Sequence, residues 1–299
     1  QQTGLECSNS VATHHVTNLA EKDSKIAMLF RIWCAIAILL SAFLVFQIQP
    51  VFSKMILPWF GGGPAVWTAC LMFFQLTLLA GYAYAFSINR LLPIKGQAIA
   101  HLALVLASFL FLPIIPADSA KPSDGAFPIL RILWVLISSI GLPYFLLSST
   151  SPLFQAWYAA KLPERIPYRL YALSNLGSLV ALLSFPFIIE PMMNSTLQAY
   201  AWSVGFITFG VFTGLLTIVI FRTNNDALIP VPEALLSTNE DSNGSKVTLK
   251  NWLAWIFLAA IGSFTLLSIS NHLSQELTVS PLMWVLPLSL YLITFIVNF

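Results

Sequence analysis

Apolar residues run along this chain in long unbroken stretches separated by short polar punctuation. A hydrocarbon core about 30 Å thick needs about 20 apolar residues in helical form. Windows of that size predict eight spans, at 26–48, 65–88, 97–116, 127–148, 168–190, 196–221, 252–271 and 281–299. Strands are excluded because the stretches lack alternation, and an unpaired backbone group in lipid costs several kcal/mol. The pattern therefore predicts an all-α integral membrane protein. The polar intervals divide it into a tail over 1–25, a six-helix membrane unit over 26–221, a flexible linker over 222–250, and the start of a second, incomplete membrane unit over 251–299.

Composition agrees. The 299 residues are 58% hydrophobic and 9% charged, with a mean hydropathy of +0.81. Soluble domains carry about 25% charged residues to cover their surface. The partner implied is the lipid bilayer. A net charge of +2 without a basic cluster gives no reason to expect nucleic acid. Cys7, Cys34 and Cys70 lack metal-type spacing, and His14 and His15 sit in the polar tail, so neither a metal nor a cofactor is expected.

Charge also orients the spans, because basic residues stay on the cytoplasmic side. Of the 14 Lys and Arg residues, 11 fall on one side if the N-terminal tail is cytoplasmic: Lys22, Lys25, Arg31, Arg90, Lys95, Lys161, Arg165, Arg169, Arg222, Lys246 and Lys250. Lys54, Lys121 and Arg131 remain for the other side. The N-terminus is expected inside, and the linker with it.

Three loop regions share one layout: a span ends in small or amide residues, a short amphipathic piece follows, and Pro with an aromatic opens the next span. They lie at 46–75, 147–175 and 267–291, with the opening prolines Pro64, Pro167 and Pro281 spaced by 103 and 114 residues. Each interval holds three spans, so successive copies enter the membrane in opposite directions, the habit of transporters built from inverted repeats. The glycines of 58-PWFGGGPAVW-67 fit that layout and not a phosphate loop, which needs Lys-Ser/Thr after the last Gly and a strand before the first. Gly61, Gly62, Gly63 and Pro64 are read as a hinge.

The segments 57-LPWFGGGPAVWTACLMFFQLTLLAGYAYA-85, 167-PYRLYALSNLGSLVALL-183 and 271-NHLSQELTVSPLMWVLPLSLYLITF-295 resemble the N-terminal membrane region of bacterial fused major facilitator/spermidine synthase-like proteins. The resemblance implies three-helix major-facilitator-like units in the bacterial cytoplasmic membrane. It also implies a soluble aminopropyltransferase-like domain downstream, and with it other subunits or a fused domain as partners. This sequence shows no Gly-rich strand–turn–helix and no triad, paired carboxylates or metal-ligand set. Any such enzymatic activity would need a portion beyond these residues, and no catalytic residue is assigned.

Polar side chains within spans usually face the protein interior or a water-filled path. Gln47 and Gln49 end span one, Gln75 lies near the middle of span two ahead of Tyr82 and Tyr84, and span five carries Tyr171, Ser174 and Asn175. Asn271 and His272 close span seven. Gln47, Gln49, Gln75, Tyr171, Asn175, Asn271 and His272 are the candidates for coordinating a small polar or cationic, polyamine-related solute; the alternative for each is helix–helix hydrogen bonding, worth about 0.6 kcal/mol. Glu190 is placed where a carboxylate reaches water. His101 is read as a satisfied interfacial histidine, Trp67, Trp157 and Trp284 as interfacial anchors, and 152–160 as a short helix lying in the cytoplasmic interface. The functional expectation is a transporter-like domain, with a non-transporting anchor or scaffold for a spermidine synthase-like domain or larger complex as the alternative.

A cysteine introduced within 223–250 should resist membrane-impermeant thiol reagents in intact cells and react once the membrane is opened. Labelling in intact cells would reverse the orientation.

Overall fold

The computed structural model describes residues 2–61, 64–121, 128–161, 168–222, 248–276 and 285–298, and every regular element among them is helical. Seven helices are long and apolar enough to cross a membrane: Lys25–Trp59, Ala65–Leu91, Ile94–Phe111, Pro128–Lys161, Arg169–Met192, Ser195–Arg222 and Leu249–Ile269. The chain is a polytopic membrane protein. The eighth expected span is represented by a shorter helix, Val285–Asn298. Its 14 residues rise only about 21 Å at 1.5 Å each, and residues 281–284 and 299 of the expected window lie outside the described residues.

In chain order the helices are α1 (Gln2–Ile56), α2 (Pro64–Leu91), α3 (Ile94–Ser108), α4 (Pro128–Leu136), α5 (Leu142–Lys161), α6 (Tyr168–Ser184), α7 (Glu190–Met192), α8 (Ser195–Arg222), α9 (Leu249–Glu276) and α10 (Val285–Asn298). The expected tail over 1–25 thus continues α1 from Gln2. The linker lies almost wholly outside the described residues.

Prolines within spans do not end them. Helix α1 runs through Pro50 to Ile56, and Val51, Phe52 and Ile56 are buried. Helix α5 runs through Pro152 to Lys161, with Leu153, Phe154 and Trp157 fully buried. This corrects the expected separate helix at 152–160: it is the C-terminal part of α5, continuous with a helix long and apolar enough to cross a membrane. It also corrects Trp157, which is a core residue and not an interfacial anchor. A proline removes one backbone bond, whereas unwinding there would leave several groups unpaired in lipid. Two further prolines sit at π turns, Ile137–Gly141 just before Pro143 and Phe185–Ile189 around Pro186. The wider turn accommodates the missing donor while keeping each span continuous.

Helix α1 is the axis of the bundle, packed by α5, α6 and α8; α2 lies along α4 and α5, and α3 against α8 and α5. Helix α10 rests on α6, whereas α9 meets only α10 to any extent and buries none of its span. Close approach depends on glycine. A Cβ at Gly177 of α6 would come within 2.6 Å of the Leu39 carbonyl oxygen of α1, and one at Gly205 of α8 within 2.9 Å of the Leu44 side chain. Polar ties cross the same seams: Gln47 Nε2 donates to Ala181 O at 2.7 Å and to Ser184 Oγ at 3.0 Å, and Trp202 Nε1 donates to Leu44 O at 2.9 Å.

The glycine-rich turn is described only in part. Gly61 has φ +88°, a left-handed conformation that L side chains rarely adopt, and Pro64 opens α2. Gly62 and Gly63 lie outside the described residues.

Gly177→Ala should destabilise the bundle by about 1–3 kcal/mol, because a main-chain carbonyl cannot step aside as a side chain would. A lowered thermal midpoint in detergent checks it; an unchanged midpoint would contradict the close α1–α6 contact.

Candidate functional site

Polar and aromatic side chains that remain partly exposed lie on α2, α6 and α10, and others lie on α1 and α5. Tyr144 of α5 is fully buried, and Gln49 Nε2 of α1 donates to its hydroxyl at 3.3 Å. Tyr82 stands on α2, Tyr171 on α6 and Tyr291 on α10. The Phe295 ring joins the last two, 6.0 Å from Tyr171 and 4.8 Å from Tyr291 between centroids. Tyr82, Tyr171 and Tyr291 keep 49%, 37% and 38% of their surface exposed.

Helix periodicity sets which residues lie together on each helix. On α6, Tyr171, Ser174, Asn175 and Ser178 recur at three- and four-residue steps and share a face. Asn175 Nδ2 donates to the Tyr171 carbonyl at 3.0 Å, and Ser151 Oγ of α5 reaches Ser174 Oγ at 3.3 Å. On α2, Gln75 and Tyr82 stand seven residues apart, two turns along one face, and both are exposed.

Gln49 reaches Tyr144, Asn175 bonds the Tyr171 carbonyl of its own helix, and Gln75 lies on the face of α2 that carries Tyr82. The Gln47 amide is spent tying α1 to α6. His272 is exposed on α9, which buries nothing in its span, and no contact joins it to the tyrosines. The side chain of Asn271 lies outside the described residues, as does Trp284; Trp67 is half-buried on α2. Sequence reasoning missed Tyr144 and Tyr291 as site residues. Each is a lone tyrosine in an apolar run shortly after a proline, a weak signal.

A second polar cluster is structural. His101 of α3 is fully buried, and neither ring nitrogen has a protein partner among the described residues. This corrects its reading as a satisfied interfacial histidine. Tyr84 stacks beside it at 6.1 Å, and Phe154 and Trp157 meet it edge-on at 5.8 and 6.3 Å. Trp157 Nε1 donates to Gln97 Oε1 at 2.8 Å, and Gln97 Nε2 donates to Leu92 O at 2.8 Å. Gln97 thereby satisfies the one polar atom of the largest buried side chain.

A third group lies at the opposite end of α1. Lys54 pairs with Glu190 of α7, and Gln198 Nε2 of α8 donates to the other carboxylate oxygen at 3.1 Å. Glu190 therefore does more than meet water: it links α1, α7 and α8. Nearby in sequence, Lys121 bonds Asp118 at 2.7 Å, which holds that carboxyl below the ordinary carboxylate value, and lies 5.4 Å over the Trp59 ring.

Among the described residues no group of three or more His, Cys, Asp or Glu side chains could hold a metal ion. No family model matches the chain, and neither a curated protein nor a solved structure is significantly similar to it.

Gln97→Leu should cost about 1–3 kcal/mol, since it strands the buried Trp157 N–H without an acceptor. The loss should appear as a lower thermal midpoint, and Gln97→Glu, which keeps an acceptor oxygen there, should lose less than Gln97→Leu.

Proposed function

We propose that this membrane protein is a transporter-like domain for a small polar or cationic solute, held at the tyrosine and amide cluster between α2, α5, α6 and α10. The observation that carries the reading is the presence of partly exposed tyrosines on three separate helices, α2, α6 and α10. Such groups are costly against lipid and belong where water or a solute reaches them.

The packing supports an inverted repeat. Exchanging spans one, two and three with spans four, five and six turns the α1–α6 contact into the α2–α5 contact, and leaves the α1–α5 and α3–α8 contacts in place. Both exchanged contacts are close approaches at a glycine, Gly177 in one and Gly81 against Ser148 in the other. In proteins built from such repeats the solute site lies at the repeat interface near the midplane. The resemblance to the membrane region of fused major facilitator/spermidine synthase-like proteins of the bacterial inner membrane points the same way, with the N-terminus cytoplasmic by the distribution of basic residues.

One observation favours a second reading, an anchor or scaffold that binds other membrane subunits or a spermidine synthase-like domain without transport. Helix α9 has a mean hydropathy of 2.0 over its span and buries none of it.

Cysteines at Gln75 and Asn175, in a background with Cys7 replaced by Ser, separate the two. Transport predicts reaction with a charged maleimide at least about tenfold faster than at Gly262→Cys on the bare helix α9, from each side of the membrane in turn. Reaction as slow as at Gly262→Cys would favour the scaffold.

A further inference from the structure

We propose that the Lys54–Glu190 ion pair is a gate: it ties the two three-span units together at one end of the bundle, as the Trp157–Gln97 bond does at the other, and it is the tie that opens. The inference rests on the transporter reading for its role, and on the hydrogen bonds at two equivalent ends for its chemistry.

The equivalence is visible residue by residue. Gln97 and Gln198 are each the fourth residue of the third span in their unit, α3 from Ile94 and α8 from Ser195. Each opens the same short pattern, 97-QAIA-100 and 198-QAYA-201. Both glutamines are buried, and Ala98 and Ala199 are fully so. Each Nε2 donates to the carbonyl five residues earlier, Leu92 O and Met193 O, at 2.8 Å. The first spans match as well: Pro50-Val51-Phe52 of α1 and Pro152-Leu153-Phe154 of α5 each carry a helix through a proline onto a fully buried Phe. Counting on equally from the two prolines sets Met55 against Trp157.

At both ends the first span of one unit is tied to the third span of the other. Trp157 of α5 bonds Gln97 of α3 directly. Lys54 of α1 reaches Gln198 of α8 through the Glu190 carboxylate, whose second oxygen accepts from Gln198 Nε2 at 3.1 Å. Cys34 Sγ meets the carbonyl of Phe154, one turn before Trp157, at 3.7 Å, so the two ties stand about 30 Å apart along α1. They differ in how firmly they hold. Trp157 and Gln97 are fully buried, and separating them strands a donor in the interior. The side chains of Lys54 and Glu190 keep 46% and 31% of their surface exposed, so water solvates both ions as they part. Met55 brings no donor, and Gln198 Oε1, the atom equivalent to the one Trp157 bonds, is buried without a partner among the described residues. Rocking of one unit against the other therefore opens the Lys54 end first.

The test follows two buried native thiols, Cys34 beside the Trp157 tie and Cys70 on α2, within two turns of Pro64 and so near the Lys54 end. Each is assayed alone, with the other cysteines replaced by Ala, for its rate of reaction with 2-sulfonatoethyl methanethiosulfonate in lipid nanodiscs, where both faces meet the reagent. Glu190→Gln keeps an acceptor for Gln198 and removes the charge; it should speed Cys70 by about threefold or more and leave Cys34 within about twofold. Exchanging the charges, Lys54→Glu with Glu190→Lys, should return Cys70 to within about twofold of its original rate. No change at Cys70 in Glu190→Gln overturns the proposal, and so does an equal rise at Cys34, which would mean general loosening. A folded charge exchange that leaves Cys70 fast overturns it too. Glu190→Gln is nearly isosteric and decides between the outcomes even if the charge exchange does not fold. A response at Cys70 without two-sided access at Gln75 and Asn175 would keep the gate and remove transport; two-sided access without a response at Cys70 would do the reverse.

Discussion

The backbone has no water to bond to inside a bilayer, and the rest of the structure follows from that constraint. Every carbonyl and amide within a span must be satisfied by the span itself, which only a continuous helix does over such lengths. This is why α1 and α5 run through Pro50 and Pro152, and why Pro143 and Pro186 are met by wider turns and not by breaks. A proline in a soluble helix often marks its end. Here it marks only a local adjustment.

Continuous helices in lipid gain little from hiding apolar surface from one another, since lipid tails are as apolar as leucine. Association depends instead on close packing and on polar ties, and both are visible around α1. Gly177 lets the α6 backbone reach Leu39, while Gln47 and Trp202 fasten α6 and α8 to the same helix. Buried hydroxyls add little cost, because Ser149, Thr150, Thr213 and Thr217 donate to carbonyls of their own helices. The tyrosines of α2, α6 and α10 stay partly exposed, and two of them, Tyr171 and Tyr291, meet Phe295 where α10 rests on α6.

Two polar groups divide the labour along the long axis of the bundle. The Lys54–Glu190–Gln198 link ties three elements at one end, and the Gln97–Trp157 bond with His101 packs the interior between α2, α3 and α5.

Hydropathy alone determined the membrane setting, the helical class and the position of seven long spans, because hydrocarbon thickness imposes one length on every crossing element and leaves no alternative secondary structure. The distribution of Lys and Arg likewise carries an orientation that no folded contact is needed to read. Only the tertiary structure decided how each polar residue is used. Gln47 and Gln49 are two positions apart and equally polar, yet one faces α6 and closes a seam while the other turns toward Tyr144. Trp157 has the sequence appearance of an interfacial anchor and is a buried core residue bonded to Gln97. Tyr144 packs on Phe74 and Tyr171 on Phe295, partners that no spacing in the chain discloses. The reason is geometric: in a uniformly apolar helix the sequence does not say which face meets protein and which meets lipid, and only the packing of the other helices assigns it.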